Sequence, residues 1–246
     1  MTRVAIQEHQ NCLKYEREDL DFLKWKWKPN ECVLPKFDAS QFLEAGRGKS
    51  LAFVGDSIAR NRLQSLICLL ARVEYPDDVS TSTNASTRLW RQDVPHLNAT
   101  YSYKRAFHTA FKALYSIENY RGITFLRTFS VSHFEGGTWN EGGNCLRTRP
   151  YAKNERLEDY NLDMYIAQIE EFSIAESEGN KKGLKFKLMD TTKLMLFRPD
   201  GHPSVHWHYK NDGLKGHNDC VHRCLSGPVD TWNEFLFEMA KMEQRI

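Results

Sequence analysis

Short apolar runs alternate with stretches of helical periodicity along most of this chain, and that alternation is what most limits its fold. Residues Lys49 to Val54 form an apolar run closed by Gly55 and read as a buried strand. After it Leu63, Leu66, Ile67, Leu70 and Val73 recur at helical spacing, which predicts a helix of about four turns. Residues 76–101 follow neither period. Phe107, Phe111, Leu114 and Ile117 mark a second helix, residues 122–126 a second strand, and Leu162, Tyr165, Ile169 and Phe172 a third helix ending near Gly179. Leu184, Phe186 and Leu188 alternate with lysines as a third strand. A last helix is expected from a capping box, Thr231 to Glu234, with Trp232, Phe235, Leu236 and Met239 on one face. Such an order predicts an α/β domain with a mainly parallel sheet and helices on both faces. At 246 residues there is room for one domain and a short appendage.

The charge balance excludes some partners. Lys and Arg number 34 against 32 Asp and Glu, so the chain has no surplus with which to hold a polyanion, and no nucleic-acid partner is expected. The longest apolar stretches, such as residues 66–71, fall far short of the roughly 20 residues of a membrane span. Met1 to Cys12 lacks the apolar core of a signal peptide. Yet Asn84-Ala85-Ser86 and Asn98-Ala99-Thr100 are N-glycosylation acceptors in a polar stretch, and the six cysteines are an even number, which fits disulfides in a secretory compartment. Cys220 and Cys224 lack a second pair to close a zinc site, so no metal is expected there.

The chemistry-bearing residues lie at element junctions. Gly55-Asp56-Ser57 joins the first strand to the first helix, where an exposed hydroxyl would meet the unpaired N–H groups of a helix start. Such donors can stabilise an oxyanion, with Arg60 one turn further on as a support. On its own the tripeptide is better read as a helix cap, by Asp56 or Ser57. Asp219-Cys220-Val221-His222 precedes the last helix, and a spacing of three can set a carboxylate against its own imidazole, leaving the other ring nitrogen for Ser57. Together the two motifs have the pattern of the GDSL/SGNH hydrolases. Trp25 and Trp27 read either as a half-buried segment beside the core or as platforms for sugar rings. His202, His206 and His208 lack a carboxylate pattern that would make them metal ligands.

Longer blocks carry a closer resemblance. Residues 55–61 (GDSIARN), 133–140 (HFEGGTWN) with Cys145, 198–203 (RPDGHP), 219–224 (DCVHRC) with Trp232 to Glu234, and 23–29 (LKWKWKP) with Cys32 to Pro35 resemble, in order, the blocks of the trichome birefringence-like family of plant polysaccharide O-acetyltransferases, in wording nearest to members that acetylate xyloglucan. The resemblance implies an SGNH-like three-layer α/β/α domain over residues 49–246 after a remnant of the family's N-terminal segment at 1–48. It implies Ser57 as nucleophile, His222 as general base and Asp219 as its orienter, with no cofactor besides an acetyl donor as co-substrate, a polysaccharide acceptor, and residence in the Golgi lumen. It also implies Cys12–Cys224 and Cys145–Cys220 disulfides, and orphan thiols at Cys32 and Cys68, whose partners lie upstream in the family.

The chain departs from the family at three places. The membrane anchor and upstream cysteines are not seen, Arg223 and Ser226 replace the family's Trp and Pro, and residues 76–101 lack a central strand ending in Ser-Gly-His-Trp. Three functions therefore compete: an O-acetyltransferase, a carbohydrate esterase in which water replaces the sugar, and an inactive, vestigial glycan-binding protein.

Overall fold

The computed structural model describes residues 8–28, 33–74, 98–152, 155–208 and 217–244. Asn84 and Cys32 lie outside them. Two strands form the sheet, β1 (Ile123–Arg127) and β2 (Lys185–Met189), parallel and in register from Ile123 opposite Lys185 to Arg127 opposite Met189. Parallel strands require a crossover, and here it contains α4 (Asp159–Lys181). Alternation along the strands sends Phe125 and Met189 to one face and Leu126 and Phe186 to the other. On the first face they meet Ile58 of α2 (Ser57–Leu70) and Trp232 and Leu236 of α6 (Asp230–Gln244). On the second they meet Phe111 of α3 (Ala99–Tyr115) and Phe172 and Ala175 of α4. The expected three layers are thus present around a narrow sheet.

The run at residues 49–54 is a correction. It is extended but pairs with no strand among the described residues, and Leu51 and Val54 stand 53% and 88% exposed. A strand exists only through a neighbour that takes its N–H and C=O groups, and apolar content alone supplies none. The last helix also starts differently from the expected capping box. Asp230 opens it, Thr231 already lies inside it, and Glu234 reaches outward to the backbone of Phe37. Two helices were not foreseen: α1 (Ala39–Gly46), whose N-cap Asp38 accepts from the Gln41 N–H at 2.9 Å, and the five-residue α5 (Thr192–Leu196).

The chain leaves the carboxyl ends of both strands as short loops. Thr128, just past β1, ties them down: its hydroxyl donates to Asp190 (2.9 Å) and accepts from the N–H groups of Thr191 and Thr192 (2.8 and 3.0 Å).

A polar seam joins α2 to α6. Ser65 donates to Asp230 (2.5 Å), Asn233 donates to Ser65 (3.0 Å), and the Gly227 N–H also donates to Asp230 (3.2 Å). Burial nevertheless pushes the Asp230 carboxyl up to about 6. A raised folded-state value means that the neutral acid is favoured in the fold. Its contribution is complete below the unfolded value near 3.8 and lost as pH rises through about 6. Asp230→Asn should therefore flatten the fall of stability between pH 4 and pH 7, by up to about 3 kcal/mol, measured as urea unfolding free energies of both proteins across that range.

Candidate active site

The Asp219–His222 segment folds as its spacing suggests. Asp219 Oδ1 accepts from the backbone N–H groups of Val221 (3.1 Å) and His222 (2.9 Å), curling the chain so that Oδ2 lies 2.9 Å from the Nδ1 of His222. Burial acts to raise the Asp219 carboxyl, but the hydrogen bonds and charge of His222 outweigh it and hold the group below the usual carboxylate range. With Nδ1–H donated to an ionised carboxylate, the neutral ring presents a lone pair at Nε2. That atom is buried and has no hydrogen-bond partner.

Ser57 opens α2. Gly55 before it has φ 154°, and a Cβ there would come within 2.9 Å of the Ala59 Cβ, so the turn into the helix needs glycine. Asp56 is the N-cap, its carboxylate accepting from the Ile58 N–H at 2.9 Å. Both readings of the tripeptide therefore apply, the cap to Asp56 and the exposed hydroxyl to Ser57. The cap also occupies one of the N–H groups counted on for an oxyanion site.

Asn61 links the two motifs. Its Nδ2 donates to the Arg223 carbonyl (3.0 Å) and its Oδ1 accepts from the Arg223 N–H (2.9 Å), all fully buried. Ser57 and Asn61 are four residues apart on one helix, hence on one face. The face carrying Ser57 is therefore the face turned to the residue after His222. A Ser57–His222 hydrogen bond is not formed, since Nε2 is unpartnered. Arg60, exposed on the same turn, acts on the charge of His9.

His9 was missed in the sequence. Its ring meets that of His222 edge to face, with centroids 5.8 Å apart at 74°. Burial, then the proximity of His222, lowers its pKa. The segment that carries it is fastened to the histidine loop at two further points, by the Leu225 N–H donating to Gln10 O (3.0 Å) and by the Cys12–Cys224 disulfide. Cys145 and Cys220 form the second disulfide, so both expected pairs are present, and Cys68 is a buried free thiol. Nothing local in the sequence reveals His9, because long-range contacts, the Cys12–Cys224 disulfide and the Leu225–Gln10 hydrogen bond, bring it to the site.

His202, His206 and His208 go to separate partners. His206 Nδ1 is 3.0 Å from the Tyr15 carbonyl, and His208 packs on Trp207. His202 is buried, 2.7 Å from His133 Nδ1 on one side and 2.7 Å from the His222 carbonyl on the other. Burial and the adjacent Arg223 push His133 down to about 3 and His202 in the same direction, so both rings are neutral. Arg223 itself is fully buried; it donates to the Val131 carbonyl (3.0 Å) and touches the His202 ring, its Nε has no partner, and burial takes it down to about 9. Trp25 and Trp27 stand 49% and 38% exposed.

Comparison with known proteins fits this geometry. Residues 34–100 and 90–239 match the PC-Esterase model, described as the GDSL/SGNH-like acyl-esterase family found in Pmr5 and Cas1p, and residues 2–33 match the PMR5 N terminal Domain. Trichome birefringence-like protein 20 of Arabidopsis thaliana is 40% identical over 320 residues, covering 96% of this chain and 67% of its own. Xyloglucan O-acetyltransferase 4 of Populus trichocarpa is 34% identical over 96% of this chain and 76% of its own, and xyloglucan O-acetyltransferase 1 of Arabidopsis thaliana 32% over 96% and 75%. With the first of these, 96% of 246 residues is about 236 against 320 aligned positions, so roughly 80 positions have no counterpart here. The two stretches of the PC-Esterase match meet at residues 90–100, inside the aperiodic interval.

Two substitutions around the histidine loop should have opposite signs. Asn61→Ala leaves a buried N–H and C=O unpaired and should cost about 1–3 kcal/mol. Arg223→Met removes a buried, unpaired cation and should stabilise by about 1–4 kcal/mol. Urea denaturation of both variants beside the parent measures each.

Proposed function

Because the chain belongs to the GDSL/SGNH-like acyl-esterase family found in Pmr5 and Cas1p, we propose that it is an O-acetyltransferase that passes an acetyl group through Ser57 to a hydroxyl of a plant cell-wall polysaccharide. The observation that carries this reading is the His222 ring: oriented by Asp219, it keeps a buried, unpartnered Nε2 beside the helix that begins with Ser57. A buried polar atom without a partner is costly, and a reacting hydroxyl is the group that would satisfy it.

The steps follow from that arrangement. His222 Nε2 takes the Ser57 proton as the oxygen attacks the acetyl carbonyl of the donor, and the donor's leaving group departs with that proton. An acceptor hydroxyl then attacks the acetyl-serine. His222 removes its proton and returns it to the released Ser57 oxygen. Asp219 stays ionised throughout and stabilises the imidazolium. The α2 start, with Arg60 nearby, faces the negative oxygen of each tetrahedral intermediate. The xyloglucan O-acetyltransferases among the relatives support xyloglucan or another hemicellulose as acceptor and the Golgi lumen as the place of work. Asn98 fits a lumenal glycan site, since its Oδ1 caps α3 by accepting from the Thr100 N–H (2.8 Å) while its exposed side chain leaves Nδ2 for the sugar. No described helix is long and apolar enough to cross a membrane.

Hydrolysis is the same chemistry with water as acceptor. A vestigial, inactive protein is favoured by the roughly 80 family positions that this chain lacks. One assay separates the three. Purified protein is given labelled acetyl donor with and without xyloglucan oligosaccharide. Label should pass to the sugar, and Ser57→Ala should lower the rate by about 10³-fold or more. Release of free acetate alone would make the protein an esterase, no label on the parent would make it vestigial, and equal labelling of the parent and Ser57→Ala would remove Ser57 from the reaction.

A further inference from the structure

The loop between His133 and Cys145 lifts one large apolar side chain into solvent. Trp139 stands 73% exposed, whereas Trp232 is fully buried, and among the described residues its ring stacks on no other aromatic. The loop beneath it is tightly built. Glu135 and Asn144 exchange both backbone hydrogen bonds (2.7 and 2.9 Å), and the Glu141 and Gly143 N–H groups both donate to the Thr138 carbonyl (3.1 and 2.9 Å). Gly137 and Gly143 pack so closely that a Cβ on either would fall within 2.5 Å of a backbone oxygen. An exposed indole on a fully bonded loop is not there to complete a core.

That loop is also joined to the histidine segment at three points. The His133 N–H donates to the Cys220 carbonyl (3.1 Å), Asn218 Nδ2 donates to the Gly143 carbonyl (3.2 Å), and Cys145 is bonded to Cys220. Cys220 adjoins Asp219. Trp139 is four residues from the Glu135–Asn144 bridge, so it stays within about 14 Å of it even if extended.

We propose that Trp139 is a stacking platform for a pyranose ring of a neutral glycan, holding the acceptor chain beside the Asp219–His222 centre. This rests on the acetyl-transfer reading above. A pyranose has an apolar C–H face and a rim of hydroxyls. The indole takes the face, and Asn140 and Glu141, both exposed beside it, take hydroxyls from the rim. Glu141 is an exposed carboxylate without a cationic partner among the described residues, which opposes a polyuronate and selects an uncharged chain.

The test measures binding separately from chemistry. A xyloglucan oligosaccharide is titrated calorimetrically into the full chain and its Trp139→Ala and Trp139→Phe variants, and donor-only acetyl labelling of Ser57 is followed in each. Trp139→Ala should weaken sugar binding about tenfold, Trp139→Phe should retain most of it, and labelling of Ser57 should be unchanged. A polyuronate of the same length should bind more weakly than the neutral sugar. Unchanged affinity in Trp139→Ala overturns the proposal, as does joint loss of labelling and binding, which would give Trp139 a structural role. Equal binding of the polyuronate overturns the neutral class. If Ser57 is never labelled in the parent but Trp139→Ala still weakens binding, the acetyl-transfer reading fails and the platform stands.

Discussion

The backbone of residues 222–225 is the point on which the rest of the site depends, because three distant parts of the chain grip it. Asn61 from α2 pairs with both polar groups of Arg223, and Gly201 accepts from the Cys224 N–H at 3.0 Å. His202 lies against the His222 carbonyl, while the N-terminal segment adds the Gln10–Leu225 hydrogen bond and the Cys12–Cys224 disulfide. A loop has no ladder of its own to fix it, so a histidine on a loop is only as well placed as its tethers. Here the tethers come from the helix that begins with Ser57, from the segment following β2 and from the N-terminus. None of them can shift without moving the imidazole.

This explains why part of the molecule was legible in the sequence and part was not. Helices α2, α3 and α4 and both strands declare themselves through local periodicity, since each buries one face against the sheet. The Asp219–His222 pair is likewise local, three residues closing on themselves through backbone N–H groups. The run at 49–54 misled because strand character belongs to a pair. Its apolar residues announce a strand, but no neighbour takes its backbone, and Val54 is left 88% exposed. The capping box failed for a similar reason. Glu234 satisfies the sequence rule, yet Asp230 sits nearer the helix start and is held there by Ser65, a partner 165 residues away. His9 and Asn61 matter through contacts across more than 160 residues, and no window along the chain contains them.

Arg223 shows how a single replacement acts on such a centre. An apolar side chain at this position would fill the space under the histidine loop. The guanidinium instead brings in a charge that Asp200 and Asp219 favour through space, while Asp200 bonds to Arg198 at 2.8 and 2.9 Å. Burial first and this charge second keep its neighbours His133 and His202 neutral. The charge does not displace Arg223's backbone, because Asn61 binds the N–H and C=O, which every residue type presents. The backbone that positions His222 is therefore held by contacts that do not depend on the side chain at 223.

The same separation bears on the missing positions. Roughly 80 positions of the first relative have no counterpart in this chain, and the two stretches of the PC-Esterase match overlap at residues 90–100. Among the described residues, the tethers of 222–225 come from α2, from the segment following β2 and from the N-terminal segment. The run before Ser57 pairs with no strand among the described residues, and Leu51 and Val54 in it are exposed. Two sets of contacts hold α2 in place: Asn61 binds the backbone next to His222, and Ser65 with Asp230 and Asn233 braces the helix against α6.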